Sequence, residues 1–182
     1  MTSYYTASAF FHPTDGSYSA FTAATAAGRV FVERLDKDGI FVDPPVTEWN
    51  WRRPGPAPDW PAVAMMVRLF SVRMADIVQA HLGELDAVQW IPAVVTSTDG
   101  HRGDYRIAHF TERPDVLDPD ASTFGPNGQP IRWVLSARKI TGRHFFPSHD
   151  YGRNVIISAT LRTALLDAKL TGLDIDPVRL VD

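Results

Sequence analysis

The sequence predicts a single α+β domain over residues 1–182, with a mixed or mostly antiparallel sheet and two main helices that each begin at a serine cap. Three observations support this fold class. Short apolar runs bounded by turn residues, which are typical of strands, outnumber the helical patterns. A strand–helix–strand pattern occurs twice between residues 65 and 182. A hydrophobic content of 45% is sufficient for a core that needs no disulfide or metal.

Residues 1–61 carry mainly strand and loop signals. An aromatic-rich run at residues 4–11 predicts a strand. The dipeptide Asp38-Gly39 predicts a turn that joins residues 30–35 and 40–42 as a hairpin. This part of the chain is therefore expected to supply strands and loops rather than helices.

Residues 49–61 combine three tryptophans with four prolines, and the prolines exclude a helix or a central strand there. Two interpretations stay open. In the first and favoured one, this is an ordered loop that its indole rings pack onto the core. In the second, Trp49, Trp51 and Trp60 form an exposed aromatic surface that anchors a partner.

The first strand–helix–strand unit begins with an apolar run at residues 65–70, which predicts a buried strand. Ser71 is a good N-cap, and an amphipathic stripe follows it until Gly83. Residues 88–96 predict the second strand, where Pro92 indicates an edge position or a bulge.

The second unit repeats this order near the C-terminus. Residues 155–157 predict a strand, Ser158 a cap, and Gly172 the end of the helix. Residues 173–181 predict a closing strand in which Pro177 corresponds to the proline of the first unit. Two copies leave a structural duplication and a chance similarity equally open.

Between the two units the pattern is dominated by turns. Residues 105–110, 131–137 and 143–147 predict strands, and residues 112–130 predict a long irregular connection rich in proline and glycine.

Composition excludes several classes of protein. The net charge of −3 argues against a strongly basic nucleic-acid-binding protein, so no direct nucleic-acid partner is expected. The absence of cysteine excludes a disulfide scaffold, a thiolate zinc site and a cysteine nucleophile.

The longest apolar run, at residues 61–67, is too short to span a membrane, and the N-terminal residues lack the features of a signal peptide. We therefore expect a cytoplasmic protein with no membrane partner.

The chain carries none of the standard catalytic or nucleotide-binding motifs. His144 and His149 are separated by a proline and do not share a helical face, so a metal pair is not expected. The Asp-x-Asp pairs at 36–38, 118–120 and 174–176 do not extend to a calcium-binding loop. We expect no catalytic residues, no metal and no cofactor. These absences favour a protein that acts by binding. Two other functions stay open: a small enzyme with an unrecognised His/Asp site, and a scaffolding domain.

Residues 99–120 are mildly acidic. They form either a solvated loop or an acidic surface that attracts a basic partner. The candidate binding residues are the carboxylates of Asp104, Glu112, Asp115, Asp118 and Asp120.

The two serine-capped units resemble those of a known family. The second unit, with Ile156-Ile157-Ser158, Leu161, Leu165 and Thr171-Gly172-Leu173, is similar to the closing motif of immunity protein family eleven of bacterial polymorphic-toxin systems. The first, from Phe70-Ser71 to Trp90-Ile91-Pro92-Ala93-Val94, resembles that family's central capped helix and the strand after it. The resemblance covers about residues 65–182.

The resemblance implies a binding protein that protects the producing cell by occluding a cognate toxin, often one delivered by a secretion system such as type VI. It carries over no catalytic residues. A toxin that attacks nucleic acids or nucleotides would have a basic cleft, which carboxylates can fill by imitating phosphates. The oligomeric state stays open.

Overall fold

The computed structural model of this protein describes residues 3–9, 22–23, 31, 33–35, 39–63, 67–128, 130–147 and 154–182. Its strands, in chain order, are β1 (Tyr4–Ala9), β2 (Thr22–Ala23), β3 (Thr47–Trp51), β4 (Leu69–Ser71), β5 (Val88–Ser97), β6 (Arg102–Phe110), β7 (Thr123–Phe124), β8 (Pro130–Arg132), β9 (Leu135–Ser136), β10 (Phe145–Pro147), β11 (Val155–Ser158), β12 (Leu173–Pro177) and β13 (Leu180–Val181). Its helices are α1 (Val72–Gln79), α2 (Ala137–Ile140) and α3 (Ala159–Asp167).

Two sheets form the framework. The five-stranded sheet has the order β2-β3-β5-β6-β4, and the four-stranded sheet has the order β10-β11-β1-β12. Within these two sheets, only β3 and β5 pair in parallel among the described strands. The predicted α+β class with a mostly antiparallel sheet is confirmed. No described helix is long and apolar enough to cross a membrane.

The predicted serine caps are confirmed at both main helices. The Ser71 hydroxyl accepts a hydrogen bond from the Met74 N–H, and the Ser158 hydroxyl accepts one from the Leu161 N–H. Each serine thereby satisfies one of the backbone donors that a helix leaves free in its first turn.

The two strand–helix–strand units share one topology and one register. In each, two mutually parallel strands flank an antiparallel strand: β4 and β5 flank β6, and β11 and β12 flank β1. Ser71 lies opposite Tyr105, and Ser158 lies opposite Tyr4. The two prolines, Pro92 and Pro177, occupy equivalent places, one pairing position from the tyrosine of their unit. The sequence correspondence between the units is therefore also a structural one.

The segments that precede the units are also built alike. The Ser71 N–H donates to the carbonyl of Asp59, and the Ser158 N–H donates to the carbonyl of His144. The Tyr105 hydroxyl lies within hydrogen-bond distance of the Ala57 and Pro58 carbonyls. The Tyr4 hydroxyl reaches two carbonyls, those of Ile140 and Arg143, in the same way.

The two glycines predicted as helix ends serve a different purpose. Each helix ends earlier, at the C-caps Ala80 and Ala168. A Cβ on Gly83 would lie 2.6 Å from the Gly142 carbonyl oxygen, and one on Gly172 would lie 2.6 Å from that of Trp60. Glycine is needed because each loop presses against the segment that precedes the other unit.

Buried side chains form three clusters. The central one joins both sheets to α1 and α3, and its members include Phe70, Met74, Phe145, Ile157 and Leu161. The second cluster covers the other face of the five-stranded sheet, with Trp49, Ile91 and Ile107. The third covers the other face of the four-stranded sheet, with Ile156, Leu117 and Leu135.

Several strand predictions need correction. Pro92 lies in a central strand and not at an edge; pairing with β3 begins only at Ala93, so the missing N–H is tolerated there. The run at 131–137 divides into two short strands and the start of α2. The irregular stretch 112–130 contains the small β7–β8 pair.

The predicted hairpin at 30–42 does not form at the described residues. Residues 33–35 make a turn, and residues 40–42 are not strand. The Gln89 side-chain amide instead takes the place of a partner strand, because it bonds both the N–H and the carbonyl of Phe41. Residues 36–38, residues 65–66 and His149 lie outside the described residues.

Candidate functional site

Four of the five predicted carboxylates lie on one surface segment that follows β6. We call residues 112–120 the acidic segment. Its middle is fixed to the protein, since Val116 and Leu117 are 0% and 3% exposed and belong to the third core cluster. Glu112, Asp115 and Asp120 are exposed on either side of this anchor. The segment therefore presents its carboxylates from a fixed backbone.

Two of these carboxylates have defined partners. Asp115 forms a salt bridge of 2.6 Å with the ammonium group of Lys139, which also donates to the Leu117 carbonyl. The Asp118 carboxylate accepts from the backbone N–H groups of Asp120 and Ala121, so it closes a turn. Lys139 reduces the negative charge around Asp115, and Asp118 contributes to local structure.

Asp104 does not belong to this surface. It is exposed on β6, paired with Val94, and lies six residues before Phe110 at the end of the strand. That separation is roughly 20 Å at about 3.3 Å per residue. The five predicted carboxylates thus do not form one continuous face, because a straight strand runs between Asp104 and the rest.

The tryptophans pack inward. Trp49 and Trp60 are each 1% exposed and Trp51 is 8% exposed, and the Trp49 ring N–H donates to the Thr47 hydroxyl. Trp60 packs edge-to-face on Phe70 with ring centroids 4.7 Å apart. The predicted packing of the indoles onto the core is therefore confirmed, and an exposed aromatic surface made of these three indoles is not present in this structure. The exclusion of a central strand is wrong for the start of the stretch, because Trp49 and Trp51 lie on β3 between β2 and β5 and its prolines begin only at Pro54.

Each capping serine is also held by a side chain from the segment before its unit. Asp59 accepts a 2.6 Å hydrogen bond from the Ser71 hydroxyl, and His144 Nδ1 lies 2.9 Å from the Ser158 hydroxyl. Asp59 also accepts from the N–H and hydroxyl of Thr171. Burial alone would raise the pKa of Asp59, but these hydrogen bonds and the charge of Arg73 outweigh it and hold the pKa below its ordinary value.

In the histidine–serine pair, the His144 ring holds the hydroxyl of Ser158 in the position in which it caps α3. Ser158 is 2% exposed and its hydroxyl is engaged by the helix N-terminus. His144 lines an open cavity of about 500 Å³ with Tyr4, Thr141 and Asp182 among its walls. Since Asp59 makes the same contact with the other serine, the arrangement recurs with two different chemical groups, which points to a structural role in both units.

One exposed apolar feature lies outside the residues that the sequence predicted to bind a partner. Ile40, Val42 and Val46 are 75%, 88% and 60% exposed, and all three lie in one loop at residues 39–46, which we call the apolar loop. The signal in the sequence was the Pro44-Pro45 pair, which argues against a continuing hairpin strand at this point.

Comparison with known protein families shows which family the chain belongs to. Residues 28–179 match the model of the immunity protein family Imm11. The chain belongs to the Imm11 immunity protein family. The match begins well before residue 65, where the sequence resemblance was first evident, and it includes the apolar loop, the acidic segment and both serine-capped units. No curated protein matches the chain.

Membership of Imm11 places the protein in toxin immunity. Among the described residues, no three His, Asp or Glu side chains are close enough together to hold a metal ion. In the described part of this Imm11 chain, the acidic segment and the apolar loop are two exposed surfaces that adjoin each other.

Proposed function

We propose that this Imm11 protein binds a cognate toxin in the cytoplasm of the producing cell and neutralises it by occupying its active cleft, without catalysis of its own. The observation that carries this proposal is the family match over residues 28–179. We further propose that the toxin belongs to a polymorphic-toxin system and is delivered by a secretion system such as type VI.

The acidic segment supports a toxin with a basic cleft. Val116 and Leu117 fix its backbone, so Glu112 and Asp120 can enter a cleft with little loss of conformational entropy. Toxins that act on nucleic acids or nucleotides attract phosphates with basic side chains, and carboxylates at fixed positions can occupy the same places. Charge complementarity of this kind speeds association and discriminates among partners.

The test begins by identifying a toxin gene adjacent to this one in the source genome, and it uses the toxin domain of that gene purified with an inactivating substitution. Glu112→Gln combined with Asp120→Asn removes the two exposed charges that the proposal places in the cleft, and it leaves the Asp118 turn and the Asp115–Lys139 salt bridge intact. We expect the dissociation constant, measured by titration calorimetry, to rise at least about tenfold, with slower association and a weaker dependence on salt.

The matched control is Asp174→Asn combined with Asp176→Asn, which removes two exposed charges from β12. It should bind within about twofold of the parent, because these two carboxylates lie outside the acidic segment and solvent screens exposed charges that do not touch the partner. If the parent chain neither binds the toxin domain nor protects cells that express its active form, the proposed function is wrong. If both double variants weaken binding equally, the acidic segment is not the contact.

A further inference from the structure

The apolar loop displays aliphatic side chains that a monomer has no need to expose. Ile40 and Val42 flank Phe41, whose ring is packed into the protein against Phe31 and His109, with centroids 5.0 and 4.7 Å apart. Phe41 is half-buried against the second core cluster, whereas both of its aliphatic neighbours face solvent. They are 75% and 88% exposed.

The loop is held in this shape by hydrogen bonds from the sheet. Gln89 on β5 accepts from the Phe41 N–H at 2.9 Å and donates to its carbonyl at 2.8 Å. The Gly39 N–H donates to the Thr111 carbonyl at 2.9 Å, and a ring nitrogen of His109 lies 2.8 Å from the Gly39 carbonyl. Four contacts to the main-chain groups of two residues, Gly39 and Phe41, hold the start of this loop in a fixed shape before any partner binds.

The residue that follows the exposed pair adopts an uncommon conformation. Asp43 has a φ of 47°, in the left-handed region that side chains other than glycine rarely occupy. Pro44 and Pro45 come next and restrict the backbone further. Such local strain persists where the surrounding structure imposes it, and it is concentrated at binding and switch sites.

We propose that Ile40 and Val42 form the apolar centre of the toxin-binding surface and enter an apolar pocket of the toxin that is bordered by basic side chains. This inference rests on the proposed function. Interfaces need a water-excluding apolar centre and a charged rim, and most of their binding energy lies in the centre. The acidic segment supplies only a rim, because its apolar residues, Val116 and Leu117, are buried.

The position and charge of the loop favour a basic partner. Gly39 bonds to Thr111, and the next residue is Glu112, so the apolar loop and the acidic segment adjoin. Asp43 within the loop is exposed, as is Glu48 shortly after it. One cation also lies there, since the guanidinium of the exposed Arg34 is 5.5 Å from the Phe41 ring centroid. The exposed charges described around the aliphatic pair are therefore mainly carboxylates, which matches a pocket rimmed with lysine or arginine and disfavours an acidic partner.

The experiment uses the same inactivated toxin domain and measures its binding to the full chain and to Ile40→Ser combined with Val42→Ser. The dissociation constant of the double variant should rise at least about 30-fold, as expected for a pair of central residues. Both side chains are exposed, so the thermal unfolding midpoint should stay within about 2 °C of the parent. The matched control is Leu166→Ser, which removes a 47% exposed side chain from α3 and should bind like the parent. This helix packs in the central core cluster, whereas Phe41 of the apolar loop packs against the second cluster.

The outcomes separate this inference from the proposed function. If the parent binds and the double variant binds within about threefold of it, the apolar loop is not the centre of the interface and the proposed function stands. If the parent itself does not bind, the proposed function fails. If sedimentation velocity shows that the parent self-associates, and the double variant loses this association but keeps toxin affinity, the loop contacts a second copy and the inference is overturned.

Discussion

Replacement of Asp59 by alanine is the sharpest test of how the two units are joined. The Asp59 carboxylate accepts from the Ser71 hydroxyl at 2.6 Å and from the Thr171 N–H and hydroxyl at 2.9 and 3.1 Å. It thereby links the first capped helix to the loop after α3. The Arg73 guanidinium, 3.9 Å away and 58% exposed, adds little because solvent screens it.

The expected loss of unfolding free energy follows from these contacts. A hydrogen bond to a charged group contributes about 1.5–3 kcal/mol when fully buried, and we take about 1 kcal/mol each because the Asp59 side chain is 16% exposed. Asp59→Ala should therefore lower the free energy of unfolding by about 3 kcal/mol at pH 7. Urea unfolding followed by tryptophan fluorescence measures this difference, with Asp176→Ala as an exposed control expected within about 0.5 kcal/mol of the parent.

The effect should depend on pH in one direction. The pKa of Asp59 is lower in the folded protein than its ordinary value. Its contribution is therefore fully present above the unfolded pKa of about 3.9 and is lost as the pH falls through the folded pKa. The difference between parent and Asp59→Ala should be constant from pH 7 to 5 and shrink below pH 4. Equal stability at pH 7, or a difference that does not shrink in acid, would refute this reasoning.

The other predictions concern the caps, the close approaches and the buried hydroxyl. Ser71→Ala and Ser158→Ala should each lower the free energy of unfolding by at least about 1 kcal/mol, measured in urea, and an unchanged midpoint would contradict the capping roles. Gly172→Ala should cost more than Gly100→Ala, because both have a positive φ but only the former would clash with a backbone oxygen; equal melting temperatures would rule out the clash. Tyr4→Phe should cost about 1 kcal/mol in thermal unfolding, since it removes a buried donor to two carbonyls, and no loss would contradict this account.

Local features of this protein could be predicted from local sequence. A serine directly before an amphipathic stripe favours a cap, because the bond that it makes closes within three residues; hence the local sequence is enough to predict Ser71 and Ser158 as caps. The correspondence of Pro92 and Pro177 was also visible, because it depends on spacing from those caps. Local composition also predicts that the three tryptophans of residues 49–61 pack onto the core.

Features that depend on distant residues could not be predicted in this way. The strand predicted at residues 40–42 does not form, and Gln89, 48 residues from Phe41, supplies hydrogen bonds like those of a partner strand. Charges close in sequence were assigned to one acidic face, but Asp104 is carried away from Glu112 by the length of β6.

By itself, the amino-acid sequence determined the α+β class, the two capped helices and the immunity-family resemblance, because each depends on short-range pattern and spacing. The tertiary structure alone decided which surfaces are left to meet a partner. It buried the three indoles, held Asp118 in a turn and turned Ile40 and Val42 outward. A side chain is buried or exposed according to which other residues pack against it, and those residues come from parts of the chain far away in sequence.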